Sequence, residues 1–332
     1  MGSPSRSDLG VISPMLSNFA VSYGQARLVT TTGRAFGLTA DFFFPVVPHN
    51  VEGLEGTFLK LDPGNESQTP TTNRANLADY NSIDWKLTSD TYRLEDHGLG
   101  WNWDDNMIKA GVGPVQLNRR GTQIVATNVM TAWDRRVNDV VTASGNYTLS
   151  NTATFATLDP GSAQLSTSSA DLAAVIDAAR ERIFLNSGYE GRLRAVMGRD
   201  VWFNGVKRND DIISSLQASN KEGGSSDITP MKVGNDLLEV DLRINSNRVN
   251  SAGDVAAGTF TPSLDFGDNI VVFAEPEPGI DATMFGATFQ GENFTTRTRD
   301  IGDRGHRVTV AHMVVEKLID QRFAYLITDC LA

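Results

Sequence analysis

The chain has 332 residues, 40 acidic against 29 basic, and a formal charge of −11. It is 40% hydrophobic and 21% charged, a globular composition rather than a disordered one, and its acidity argues against a free-standing nucleic-acid binder. One cysteine, Cys330, excludes an intrachain disulfide or a CxxC metal site; no apolar run approaches the ~20 residues of a membrane span; the polar start MGSPSRSDLGVIS lacks a secretory core, so synthesis in the cytoplasm is expected.

Residues 1–40 read as an extended arm rich in Ser, Gly and Thr, with a short helix suggested only near Met15–Tyr23. Such a segment has little core of its own and is expected to lie on something else, such as another subunit. Asp41–Pro48, DFFFPVVP, is an apolar block cut by two prolines and suits an edge strand. Glu52–Asp62 alternates as a strand and ends in an Asp-Pro-Gly turn. After a polar stretch, Ile83–Leu87 offers a second strand. Together these make a long flap with few core residues, which needs a neighbour to rest on. Thr91–Trp103 reads as one strand leading toward a helix.

Val115–Val141 is the longest helical pattern. Leu117, Ile124, Val125, Val129, Trp133, Val137, Val140 and Val141, with Ala132 between, form one apolar stripe. Arg119, Arg120, Gln123, Asn128, Asp134, Arg135 and Asn138 fill the polar face. Pro114 suits the first turn. At 1.5 Å per residue the helix spans roughly 40 Å and acts as a beam for other elements.

Beyond it, residues 150–168 read as loop, and Ser169 as the N-cap of a helix over Ala170–Phe184. A short strand at Arg192–Met197 precedes helical segments starting at Gly198 and at Asp210–Gln217. Leu237–Ile244 alternates as a strand, and Asn269–Ala274 is a buried-type strand. Asn293–Arg299, Val308–Lys317 and Phe323–Asp329 are the last strands. This order predicts an α+β fold.

Motifs for chemistry are weak. His49, His97, His306 and His312 show no metal-ligand spacing. Asp104–Asp105, Asp210–Asp211 and Glu275 with Glu277 are neighbours that point apart, unlike carboxyls facing across a cleft. Gly98/Gly100 and Gly111/Gly113 lack the rest of a phosphate-loop signature. Cys330 reads as a small buried hydrophobe. Arg119, Arg120, Arg135 and Arg136 suit a solvated or intersubunit salt-bridged face.

The parts in their order resemble the tailed-phage major capsid proteins of the Hong Kong 97 type, across nearly the whole chain. TFLKLDPGN through Asp84–Trp85 is similar to that family's extended loop, and Asp90–Asp105 resembles its strand before the spine helix. SSADLAAVIDAARERIF followed by RLRAVMGRDVWF resembles the start of its axial domain. The resemblance implies an arm and incoming strand at 1–48 and an extended β-hairpin loop at 49–84. It implies a peripheral domain at 85–145 with 285–318, including a spine helix at 114–141, and an axial domain at 146–284 with 319–332. It implies pentamers and hexamers closing into an icosahedral shell around double-stranded DNA, bound without sequence specificity. Further partners are scaffolding, portal and decoration proteins. No membrane, cofactor, metal or catalytic residue is implied. The protein is expected in the virion, assembled in the host cytoplasm. Phe58, Lys60, Arg74, Arg119, Arg120 and Arg135 are the candidate intersubunit contacts. Net acidity suits a shell that must release its genome. Two other readings stay open: an encapsulin-like shell around protein cargo, and a hydrolase or glycan-binding protein whose site forms only in the tertiary fold.

Overall fold

The computed structural model describes residues 11–61, 87–109, 113–147, 150–161, 163–167, 169–219, 228–250, 261–277, 284–301 and 304–332. The long helix runs Pro114–Thr142, with proline at its start. It buries Leu117, Val125, Val129, Met130, Trp133, Val137 and Val141 on one stripe, while Ile124, Ala132 and Val140 lie half-buried at its margins. Asp134 and Asn138, assigned by sequence to the solvent face, are instead fully buried. They sit one turn apart beside the stripe, where polar partners from other elements meet them.

The helix lies across an antiparallel sheet built on Gly305–Leu318. One end of that strand runs between Thr295–Ile301 and Glu95–Asp104, and the other pairs with Gly286–Gln290. Val46–Pro48 adds in parallel at one edge and Val11–Ile12 antiparallel at the other. Gly121 makes the close approach: a Cβ there would lie 2.3 Å from Trp101 Cε3.

A second six-stranded sheet has the order Phe36–Gly37, Val240–Asn245, Leu193–Gly198, Ile270–Ala274, Ala324–Thr328, Thr152–Thr154. Every residue of Ile270–Ala274 is buried, as expected of an interior strand. Helix Leu172–Ser187 packs on this sheet through Val175, Ile176, Ala179 and Ile183. Its cap is Asp171, which accepts from Ala174 N at 3.0 Å, not Ser169, and Gly188 ends it at φ 71°. One continuous core joins both sheets and both helices. This is the expected α+β fold.

Several expectations change. The short helix suggested near Met15–Tyr23 is present as the 12-residue Pro14–Gln25, and what changes is where it rests. It packs on the long helix, with Ala20 buried and a Cβ on Gly24 coming within 3.3 Å of Met130 Cγ. The described part of the arm therefore rests on its own chain. The apolar rhythm of Leu16, Phe19, Ala20 and Tyr23 outweighs the Ser and Gly content. Within DFFFPVVP only Val46–Pro48 is strand; Ala40–Phe43 is a helical turn that buries three consecutive phenylalanines, Phe42, Phe43 and Phe44. The flap's first strand, Glu55–Leu61, pairs with Leu87–Arg93; residues 83–86 of the expected second strand and the turn after Leu61 lie outside the described residues. Thr91–Trp103 is not one strand. It divides at Leu94 between the flap and the sheet, where Leu94 is buried in a small satellite core. Leu237 and Leu238 end a helical turn, Glu239 takes a left-handed conformation (φ 53°), and the strand starts at Val240. The loop at 150–168 contains a short parallel strand, Thr152–Thr154, and a helical turn, Phe155–Leu158.

Candidate functional site

Among the described residues the flap has little core of its own. Gly56, Phe58 and Lys60 share the face toward the body, opposite Tyr92, Asp90 and Thr88. Two aromatics anchor it: Tyr92 stacks on Phe289 (3.8 Å between centroids, 7° between planes), and the Phe58 ring lies 5.5 Å from Phe289. His49 Nδ1 shares a hydrogen bond of 2.9 Å with the Tyr92 hydroxyl. Leu59, on the other face, is 64% exposed. Among the described residues neither flap strand pairs with anything but the other. A two-stranded ribbon is marginal alone, and its open edges and outward leucine suit addition to another chain.

The other candidate contacts divide as follows. Phe58 is largely used within its own chain. Lys60 Nζ lies 3.0 Å from Asp90 Oδ2, on the exposed hairpin, a pair worth little in water. Arg119 Cζ lies 5.0 Å over the Phe19 ring, Arg120 donates to Gln123 Oε1, and Arg135 Nε is 3.6 Å from Asp265 Oδ1 while remaining 56% exposed. Arg74 lies outside the described residues. These residues do not converge on one site. A further apolar set, Met107, Ile108 and Val115, is exposed around the start of the long helix. Beside it His306 bridges Asp105 (3.0 Å) and Asp300 (2.6 Å) and stacks on Trp103 at 4.1 Å. The hydrogen bond from Asp105, with help from Asp300, raises the His306 pKa above its ordinary value.

Among the described residues, those weighed for chemistry form no catalytic constellation. His312 is 3% exposed and stacked on Phe294; burial, with Arg136 nearby, pushes its pKa down to about 3, so it is a neutral core histidine. His97 lies 6.1 Å from it and is lowered for the same first cause. The Cys330 thiol is buried and its pKa pushed well up by desolvation, which leaves it unreactive. Among the described residues no group of three His, Cys, Asp or Glu side chains could hold a metal, and no helix is long and apolar enough to cross a membrane.

A buried polar junction ties the second sheet, through Asn245, and the turn Ala40–Phe43 to the long helix, and sequence reasoning missed it. Asp134 Oδ1 accepts from the backbone N–H of Thr39 (2.6 Å) and Ala40 (2.8 Å), and Oδ2 accepts from the amides of Asn138 and Asn245, both at 3.1 Å. The carboxylate thereby caps the turn Ala40–Phe43 from outside, at the positive end of that turn. Asn138 reaches Asp265 at 2.8 Å, and Asn247 donates to the Thr131 carbonyl at 3.1 Å. Burial raises the Asp134 pKa to about 6 against its hydrogen bonds; burial likewise raises nearby Asp41 to about 7. The available signal was the i, i+4 pair of Asp134 and Asn138 directly flanking Trp133 and Val137.

No family model matches this sequence, and no curated protein matches it. Solved structures do. A phage-related protein from Bordetella bronchiseptica superposes with a TM-score of 0.68 at 18% identity, over 97% of this chain and 98% of the other. A virus-like particle from Pyrococcus furiosus gives 0.52 at 8% identity over 94% and 97%. A cyanophage capsid gives 0.52 at 11% identity over 86% of each chain. At these identities the likeness is one of fold. The chain has the fold of tailed-phage capsid proteins of the Hong Kong 97 type.

Proposed function

We propose that this chain is a major capsid protein. Its pentamers and hexamers close into an icosahedral shell around phage double-stranded DNA, assembled in the host cytoplasm and carried in the virion. Its role is structural, not enzymatic. The observation that carries this reading is likeness of fold over nearly the whole chain to a phage-related protein, joined by likeness to a cyanophage capsid. The flap agrees with it: two strands anchored by Phe58 and Tyr92, with Leu59 turned outward. In this reading the loop at 49–84 lies on a neighbouring subunit. The peripheral part is 85–145 with 285–318, and the axial part is 146–284 with 319–332. Phe58 holds the flap in position, while Lys60, Arg74, Arg119, Arg120 and Arg135 offer charge to neighbours. Scaffolding, portal and decoration proteins complete the particle.

Leu59→Glu tests this reading. The residue is 64% exposed, so melting of the subunit should be nearly unchanged while closed particles fail to form. Normal particles from Leu59→Glu would remove the flap from the assembly surface. A second reading, a shell around protein cargo, is favoured by the likeness to the Pyrococcus furiosus virus-like particle. The ratio of absorbance at 260 and 280 nm of purified native particles separates the two: a nucleic-acid ratio supports the phage capsid, and a protein ratio with a co-purifying enzyme supports the compartment.

A further inference from the structure

The chain is acidic overall, yet one groove is basic. It has a volume of about 770 Å³ and runs along the long helix beside the end of helix Pro14–Gln25 and the strand Arg248–Asn250. Four arginines line it: Arg27, Arg135, Arg199 and Arg248. Arg135 Nε lies 3.6 Å from Asp265 Oδ1. Arg199 stacks over the Phe203 ring at 4.9 Å and makes no ion pair among the described residues. Arg27 Nη1 and Ser246 Oγ are both buried, and neither has a hydrogen-bond partner among the described residues. Both belong to residues that line this groove. Two buried polar groups without acceptors, within one arginine-lined concavity, are unusual, because such groups nearly always find a partner. The walls are held in place: Asn247, between Ser246 and Arg248, donates to the Thr131 carbonyl of the long helix.

We infer that this groove is a phosphate-binding site, with Arg27 and Ser246 donating to one phosphate oxyanion while Arg199 and Arg248 supply the surrounding positive charge. Guanidinium groups present planar paired donors that match phosphate oxygens. A groove of this size holds a nucleotide-sized group. The phosphate comes either from a nucleic-acid backbone or from free phosphate. The site does not depend on shell formation, since all its residues belong to one chain.

The test uses the full chain and two probes, inorganic phosphate and a short mixed-sequence DNA duplex. Phosphate is followed by calorimetry and the duplex by fluorescence anisotropy across a salt series. Arg199→Gln alters an exposed residue and leaves the fold intact; Arg27→Gln with Arg199→Gln is the stronger variant. Arg119→Gln with Arg120→Gln, on the long helix outside the groove, is the control. The double variant should weaken phosphate binding about tenfold, on the scale of losing two charge-assisted donors. Duplex binding should lose about one from its log–log salt slope per arginine removed. Both effects together assign the groove to a nucleic-acid backbone. Weakened phosphate binding with no duplex binding assigns it to free phosphate. Binding of neither probe, or equal loss in the control variant, overturns the inference. So does a groove variant that binds phosphate normally but no longer assembles, because the occupant would then be an acidic segment of a neighbouring copy.

Discussion

Asp134→Ala is the most informative single change at the junction of helix and sheet. It removes the acceptor for four donors. Asn138 keeps Asp265, and the Asn245 amide keeps the Thr39 hydroxyl at 2.6 Å. The N–H groups of Thr39 and Ala40 bond only to Asp134 among the described residues and are left unpaired in the core. At about 1–3 kcal/mol each, this costs about 2–6 kcal/mol. The change also relieves the penalty of ionising a buried acid. Raising the pKa from 3.8 to about 6 corresponds to about 3 kcal/mol at neutral pH. The expected net loss is therefore about 1 kcal/mol at pH 7.5. The penalty is absent below about pH 4, where the carboxyl is protonated in both states. It accumulates between about pH 4 and 6, where the unfolded chain gives up its proton first, and is constant above. At pH 5 roughly half of it remains, so the gap between wild type and variant widens there by about 1.4 kcal/mol. Asp41 titrates in both proteins, its pKa held up mainly by burial and somewhat less once the Asp134 charge is gone. Urea unfolding of the subunit at pH 7.5 and pH 5 reads both numbers. A solvated aspartate on a helix would give the opposite sign, since alanine is the better helix former by about 0.6 kcal/mol. A variant as stable as wild type at both pH values would refute the reasoning.

Three further outcomes are expected. Gly121→Leu should cost about 2 kcal/mol in urea unfolding through overpacking against Trp101, despite better helix propensity; a neutral result means the helix and sheet do not approach as described. Arg136→Ala strands Glu316, whose side chain is 8% exposed and 2.9 Å from the guanidinium, and should cost about 2 kcal/mol; Arg136→Met with Glu316→Leu should recover most of it, as for other buried pairs. His306 has a raised pKa in the fold, so its contribution is fully present below about pH 6.5 and is lost as pH rises through the folded value. Wild-type melting temperature should therefore fall more steeply above that pH than that of His306→Gln, and parallel curves would exclude the His306 bridge.

Much of the architecture was legible because it follows from periodicity. The long helix carries an apolar stripe at helical spacing, Ile270–Ala274 is a continuous apolar run, and Val240–Asn245 alternates. What escaped was set by tertiary partners. Asp134 and Asn138 look like solvent-facing residues until Thr39, Ala40 and Asn245 arrive from positions about a hundred residues away. Ala40–Phe43 looks like strand because it is aromatic and apolar, and becomes a helical turn because Asp134 caps it. The break at Leu94 has no turn residue to announce it; it exists because Leu94 is buried where the flap leaves the sheet. The arginine groove was invisible as a unit, since Arg27, Arg135, Arg199 and Arg248 are distant in sequence and three of them stand among unremarkable neighbours.

The central claim is that this chain assembles into shells. Size-exclusion chromatography of the purified protein followed by negative-stain electron microscopy tests it most directly. The account predicts five- and six-fold rings or closed icosahedral particles. A monomer at every concentration and ionic strength would contradict it.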